Sequence, residues 1–259
     1  MRLSSRNWLA EEGSSVDSDT SSCVGKEYQI APYKGVPMRL FSHGTVAFNL
    51  AGARPITCIA LLGIRYKEST ANTTYSVQVI VRSGGAGGAI VANETFVIDY
   101  EYTFELYQGK SVIINEVTGD YVSITTTVAL VNTALSFGRI WVGETVELDK
   151  VNQYVHSVVN PTLSESNAVG GVSFNDRLMF RTLSISNAEI RDNQISEVAQ
   201  TSEDLQSVFE TFAYTSMNKE LAVIPSDGFP PFHARLTQPP RITKGPAAIY
   251  FSNIELKEI

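Results

Sequence analysis

A run of alternating aromatic and acidic residues is the part of the chain whose side chains best suit ligand chemistry. Residues 99–107 read DYEYTFELY, with Tyr100, Tyr102 and Tyr107 beside glutamates. Aromatic faces next to carboxylates suit a hydroxyl-rich ligand such as a sugar, because a ring stacks on an apolar face while a carboxylate accepts hydrogen bonds. Alternatively, these aromatic residues form the face and rim of a β-sandwich. The sequence leaves both interpretations open.

Two carboxylates in the same run could also form a glycosidase pair. Asp99 and Glu101 share one face of an extended strand, where residues two apart lie roughly 6–7 Å from each other along the backbone. Solvated strand faces carry such pairs often. The chain also has no Gly-x-Ser-x-Gly motif for a nucleophilic serine. We therefore expect no enzyme and no catalytic residues.

The residues that bind metals or phosphates do not form a recognisable site. His43, His156 and His233 are far from metal-ligand spacing with one another. Asp17 and Asp19 alternate as in part of a calcium loop, but the glycine and bidentate glutamate of an EF-hand are missing. The glycine cluster at 84–88 is followed by neither Lys-Ser/Thr nor a helix, so a loop between strands is favoured over a phosphate loop. We predict no cofactor and no metal, with a structural calcium near Asp17 as the alternative.

Composition restricts the class of protein. The chain has 259 residues, 43% hydrophobic and 18% charged, with a net charge of −7. This composition predicts a globular protein with a sizeable core. The negative charge disfavours binding to nucleic acid or to an anionic membrane surface. Two cysteines are too few for a disulfide framework, and neither a secretory signal nor a membrane-spanning apolar run is visible, so we expect a soluble protein without membrane insertion.

Hydrophobic periodicity predicts a mainly β protein. Short apolar runs at sandwich spacing predict a jelly-roll β-sandwich over residues 26–148, after a Ser- and Asp-rich flexible arm at 1–25. The run at 56–64 is apolar on both faces, which indicates a central strand. Residues 118–120 (TGD) predict a hairpin turn between two strands.

Residues 149–259 have a different texture, with shorter strands and one helical pattern. Over about 202–214, an apolar stripe with helical spacing predicts a helix that packs on a sheet. The strands around it make this a second, β-rich domain. Residues 229–231 (FPP) are predicted to form a loop. The members of the helical stripe are Leu205, Val208, Phe209 and Phe212.

The order of these motifs resembles a family of tailed-bacteriophage minor tail and distal-tail (baseplate) proteins. The resemblance covers most of residues 28–259. It rests on the apolar strand at 56–63, the segment FGRIWVG at 137–143, the arginine-containing strand at 177–183 after Gly170-Gly171, and the helix at 205–212 with the strands that follow it.

The resemblance implies a function without chemistry. It implies a structural component of a phage tail with a galactose-binding-like jelly roll as its first half. The protein would assemble in the host bacterial cytoplasm, form a homo-oligomeric ring, and contact tail-tube, hub and tape-measure proteins in the virion. The alternative is a carbohydrate-binding module on the virion that contacts host polysaccharide through Tyr100, Tyr102 and Tyr107.

Overall fold

The structure is a computed structural model of the whole chain. It describes the backbone of residues 1–4, 6–19, 23–30, 37–41, 43–67, 74–99, 108–128, 134–147, 150–159, 163–166, 172–175, 180–191, 220–226, 229–238, 241–244 and 249–258.

The described residues are almost entirely β-strand, which confirms the predicted mainly β fold. The first part contains β1 (Arg2–Ser4), a 3₁₀-helix (Trp8–Ala10), β2 (Ser15–Asp19), β3 (Cys23–Val24), the short helix α1 (Glu27–Ile30), β4 (Met38–Phe41), β5 (Thr45–Lys67), β6 (Thr74–Ser83), β7 (Ala89–Asp99), β8 (Gln108–Val128) and β9 (Ala134–Gly143). The second part contains β10 (Val146–Glu147), β11 (Lys150–Val159), β12 (Leu163–Ser166), β13 (Val172–Asn175), β14 (Phe180–Arg191), β15 (Glu220–Ile224), β16 (Phe232–Leu236), β17 (Arg241–Lys244) and β18 (Ile249–Glu258).

The long antiparallel ladder between β5 and β8 is the backbone of the first sheet. It begins at the pair Thr45–Thr125 and ends at the pair Ile64–Gln108. If straight, it would extend about 60 Å at about 3.3 Å per residue. However, the chain passes from Phe41, next to the far end of the ladder through β9, to Thr45 within at most about 15 Å. The ladder therefore folds back on itself.

This fold-back produces the two layers of a jelly-roll-type β-sandwich. In the first layer, β2 pairs with the first half of β5, β6 pairs with the second half of β8, and β7 pairs with β6. In the second layer, which contains the other halves of β5 and β8, β9 pairs with β5, β4 pairs with β9, and β3 pairs with β4. Register shifts between Asn49 and Arg54 mark the bend, where Gly52 has a φ of 94°. The core between the layers contains side chains of both, among them Phe48, Ile59, Val79, Ile124 and Phe137.

A second sheet packs on the outer face of the second layer. Its strand order is β10-β1-β15-β16-β18-β14-β11, with β17 beside β18, and β12 and β13 pair separately. Cys58, Ala60 and Leu62 of β5 point away from the sandwich core and pack with Ala222 and Ile224 of β15. This contact explains why residues 56–64 are apolar on both faces, as a central strand requires.

The first residues of the chain belong to the second sheet, which differs from the flexible arm expected at 1–25. β1 lies between β10 and β15, with Leu3 opposite Val146 on one side and Val223 on the other. Trp8 and Leu9 are buried, and β2 pairs with β5. The segment is folded because it contains apolar residues among the polar ones: in a flexible arm, Leu3, Trp8 and Leu9 would be exposed to water.

The prediction of a hairpin turn at residues 118–120 is wrong, since these residues lie inside β8. Gly119 is buried, and a Cβ added to it would come within 2.4 Å of Val81 Cγ1. The glycine is therefore needed for close packing between neighbouring strands rather than for a turn. The helix predicted at about 202–214 lies outside the described residues and stays a prediction. None of the helices in the described ranges has the length and hydropathy to cross a membrane.

Candidate functional site

Eight strand ends, four from each layer, lie at the same end of the sandwich. We call this the crossover end. It is defined by the strand ends Phe41, Thr45, Lys67, Thr74, Asp99, Gln108, Val128 and Ala134.

Hydrogen bonds hold the two layers together at the crossover end. The Thr126 N–H donates to Gly44 O at 2.9 Å, and the Thr126 hydroxyl donates to Phe41 O at 3.0 Å. His43 occupies the left-handed region with a φ of 58°, which turns the chain from β4 into β5. A buried threonine of the first layer is thus bonded to the end of a second-layer strand.

In the sequence, the predicted ligand-binding residues fall between two of these strand ends. Asp99 is the last residue of β7, opposite Thr74, and Gln108 is the first residue of β8, opposite Ile64. Tyr100, Tyr102 and Tyr107 lie between these two strand ends and outside the described residues, as does Glu101. Their arrangement as a binding surface, and that of Asp99 and Glu101 as an acid pair, stay predictions.

A loop of the second sheet contacts the same region. A Cβ added to Gly109 would come within 2.0 Å of Pro231 O, so the loop before β16 lies directly against the start of β8. Phe229, in the same loop, is 48% exposed. Sequence reasoning placed a loop at 229–231 but assigned it no role. The rigidity of this loop could have been predicted from the sequence, since an aromatic residue before two prolines has few backbone conformations.

A buried ion pair anchors that loop. Arg181 Nε and Nη2 donate to Glu258 Oε2 and Oε1 at 2.9 and 2.5 Å, and Arg181 Nη1 donates to Pro230 O at 3.1 Å. The guanidinium carbon also lies 4.8 Å from the centre of the Phe232 ring. The paired charges thereby fix the backbone on the C-terminal side of Phe229.

A second group of charged residues lies between the second layer and the second sheet. Glu220 Oε2 is 2.8 Å from His233 Nε2 and 3.3 Å from Arg139 Nε. The His233 ring is 5.9 Å from Trp141, whose indole N–H donates to Ser4 Oγ at 2.8 Å. Burial lowers the pKa of the Arg139 guanidinium, and the Glu220 charge opposes this shift. This group of side chains joins the second layer to the second sheet. Arg139 cannot serve as a base in it, because an arginine side chain stays protonated.

The glycine cluster and Asp17 both make hydrogen bonds within the chain. The N–H groups of Gly84 and Gly85 donate to the Asp120 carboxylate at 3.0 and 2.9 Å, so this chain's own carboxylate occupies the place of a phosphate. Asp17 accepts hydrogen bonds from Asn49 and Tyr121. Within the described ranges, no group of three or more His, Cys, Asp or Glu side chains could hold a metal ion.

Comparison with known proteins gives structural likenesses only. No family model matches the chain. No curated protein matches it either. A GH29 fucosidase from Ruminococcus gnavus, in complex with fucose, is 16% identical with a TM-score of 0.39 over 55% of this chain and 27% of its own. The chain thus spans about a quarter of that enzyme's length.

Two smaller proteins match over nearly their whole length. The family 32 carbohydrate-binding module from C. perfringens NanJ, in complex with galactose, is 15% identical with a TM-score of 0.36 over 56% of this chain and 100% of its own. A Streptococcus pneumoniae fucose-binding module is 10% identical with a TM-score of 0.35 over 54% of this chain and 95% of its own. Likenesses at these scores do not determine what this chain binds.

Proposed function

We propose that this chain is a non-catalytic glycan-binding protein whose sugar site lies at the crossover end. The observation that carries the proposal is the convergence of strand ends there. The segment with Tyr100, Tyr102 and Tyr107 is attached at both of its ends, Asp99 and Gln108, to that end of the sandwich.

The physical argument rests on what such an end can present to a ligand. Connections that begin and end on a rigid scaffold place side chains for recognition, while the strands beneath supply stability. Tyrosines offer a flat apolar ring and a hydroxyl, which together suit the C–H face and the hydroxyl groups of a pyranose. The proposal is also supported by the charge pattern, since glutamates among the tyrosines can accept hydrogen bonds from sugar hydroxyls.

The proposal is tested by titrating the whole protein with galactose, fucose, the Lewis b oligosaccharide and pectin in a calorimeter. We expect binding of at least one of these probes, and a loss of about tenfold or more in affinity when Tyr100, Tyr102 or Tyr107 is replaced by Ala. The proposal would be overturned if none of the four probes binds, or if all three variants bind with the affinity of the wild type.

The non-catalytic part of the proposal needs its own measurement. Each probe is incubated with the protein, and released reducing sugar is followed. We expect no release. Release that disappears in Asp99→Asn would instead indicate a hydrolase that uses the carboxylates of this segment.

A second candidate function is assembly into a phage tail as a distal-tail or baseplate component. The favouring observation is β11, which in the described part of the chain pairs with β14 alone and forms an edge of the second sheet. Its Val155 is 56% exposed, and a long strand at a sheet edge is a place where another chain can pair. Light scattering on the purified protein tests this candidate. A mass of three or six copies would support a ring, and a monomer that captures no tail-tube or hub protein would contradict it.

A further inference from the structure

We propose that the outer face of the second layer, next to the crossover end, binds an acidic polysaccharide through a group of cationic residues. This inference rests on the proposed function for the choice of a glycan, but it names a different surface and a different class of ligand. It needs no residue of the tyrosine segment.

The register of four neighbouring strands places two cationic residues in one row across this face. Arg39 of β4 lies opposite Val24 of β3 on one side and opposite Ser136 of β9 on the other. Ser136 in turn lies opposite Arg65 of β5. Because residues directly opposite each other in antiparallel strands share a face of the sheet, these four positions form a single row.

A third cationic residue lies in the next row of the same face. Phe41 and Lys67 both lie opposite Ala134, and each follows the first row by two residues along its strand. Positions two apart on a strand share a face, so the two rows are continuous. We call the positions of these two rows the basic face.

The basic face is open to solvent. Cys23, Met38 and Leu40, which alternate with its residues on β3 and β4, belong to the sandwich core, so the basic face lies on the outer side. Val24 is 57% exposed and Phe41 is 38% exposed. The second sheet packs on the same side of β5 but nearer its middle, against residues 58–62, and therefore leaves the basic face uncovered.

The charges of the basic face suit a ligand with several negative groups. Two strand spacings, about 10 Å, separate the backbone positions of Arg39 and Arg65, and about 7 Å separates Arg65 from Lys67. No position of this face holds an acidic residue. Arg2 and Arg54 each pair with a glutamate, whereas no ion pair joins Arg39 to the described part of the chain. A single carboxylate cannot reach three cations so far apart, but a polymer of acidic sugars can.

The net charge of −7 does not prevent such binding, since salt screens acidic residues that lie more than about 8 Å away. The exposed residues Val24 and Phe41 favour a glycan over a nucleic acid. An apolar surface beside the cations suits the C–H face of a sugar ring. Single-stranded nucleic acid stacks successive bases on several aromatic rings, and Phe41 supplies the one aromatic ring among the described positions of the basic face.

The test titrates the whole protein with polygalacturonate and with its full methyl ester, which has the same sugar backbone without the negative charge. Arg39→Glu is compared with Arg235→Glu, which reverses the same charge at an exposed position of β16 in the second sheet. Lys67→Glu, at the end of β5, repeats the test at a second position of the basic face. Thermal unfolding shows whether each variant is folded.

We expect polygalacturonate to bind about tenfold or more tightly than the ester, and Arg39→Glu and Lys67→Glu each to weaken its binding about tenfold. Arg235→Glu should change it less than about twofold. Absence of binding, equal affinity for the two polymers, or equal losses in all three variants would overturn the inference. Equally tight binding of a single-stranded oligodeoxynucleotide of the same charge would also overturn it.

Galactose and fucose test the proposed site separately, since Arg39→Glu should leave their affinities unchanged. If Tyr102→Ala abolishes binding of these sugars while polygalacturonate binds no better than its ester, this inference fails and the proposed function stands. If polygalacturonate binds through the basic face while neither neutral sugar binds, the site at the tyrosine segment fails and this inference stands.

Discussion

The Arg181 guanidinium and the Glu258 carboxylate form a two-pronged ion pair in which both side chains are about 5% exposed or less. Glu258 Oε2 also accepts the backbone N–H of Arg181 at 2.8 Å. The pair joins Arg181, the second residue of β14, to Glu258, the last residue of β18. It also holds Pro230, and so it links the stability of the second sheet to the loop that presents Phe229.

Removing one partner of this pair should destabilise the protein strongly. In Glu258→Ala, a buried guanidinium loses its carboxylate, which typically costs 3–5 kcal/mol, so we expect a free energy of unfolding lower by about that amount. Urea denaturation followed by circular dichroism measures the change. The control is Glu147→Ala, whose partner Arg2 lies 2.9 Å away at the surface, where a loss of at most about 1 kcal/mol is expected. Equal losses in the two variants would contradict a buried, hydrogen-bonded pair.

The N-terminal segment should contribute to stability as an integral part of the fold. Asn7 Nδ2 donates to Ile140 O at 2.8 Å, and Asn7 Oδ1 accepts from Val142 N at 3.1 Å, so this side chain pairs with β9 as a neighbouring strand would. Asn7→Ala leaves buried backbone groups without these bonds, at about 1–3 kcal/mol each. We expect a loss of about 2–4 kcal/mol in urea denaturation.

The comparison for that variant is Asn93→Ala. The Asn93 side chain accepts one hydrogen bond from Gln78 at 2.9 Å on an exposed strand face. Its loss should change stability by less than about 0.5 kcal/mol. A wild-type midpoint for Asn7→Ala would mean that residues 1–10 behave as the flexible arm that the sequence predicts.

The environments of particular residues show where sequence reasoning succeeds and where it stops. The sequence predicted β6 from its alternation of apolar and polar residues, and the central part of β5 from a run that is apolar on both faces. Both patterns are local, since they depend only on residues that are neighbours in the sequence. The role of Asn7 depends on Ile140, more than a hundred residues away, and a Ser- and Asp-rich composition hid it. Gly119 was interpreted as a turn since its packing against Val81 depends on strand pairing, which the local sequence does not encode. The tyrosine segment was selected by composition alone, and the contact between Gly109 and Pro231 joins residues that are more than a hundred positions apart in the sequence.

Alkaline pH should weaken the fold through a buried thiol. Cys58 lies between the second layer and the second sheet, and burial raises its pKa to about 12 from 9.0. Between these values the unfolded chain binds fewer protons than the folded chain, so the free energy of unfolding falls as pH rises, by up to about 1.4 kcal/mol per pH unit. More than about one unit below pH 9 this thiol has almost no effect, because it is then protonated in both states.

Urea denaturation at pH 8, 9, 10 and 11 measures this slope in the wild type and in Cys58→Ala. We expect the variant to lose less stability per pH unit above 9 than the wild type does. Cys23 also has a pKa raised by burial, to about 11, and it stays in both proteins, so the difference in slope reports on Cys58 alone. Identical slopes would contradict the burial of this thiol between the two sheets.

The close contact between Gly109 and Pro231 should make any side chain at position 109 destabilising. In Gly109→Ala, the new Cβ would lie 2.0 Å from the carbonyl oxygen and 3.0 Å from the carbonyl carbon of Pro231, so backbone must shift. Such overpacking typically costs 1–3 kcal/mol, and we expect a loss of that order in thermal unfolding. The control is Gly87→Ala, where an added Cβ meets no atom within 4 Å and stability should stay near wild type. A wild-type unfolding temperature for Gly109→Ala would contradict the close contact between β8 and the loop before β16.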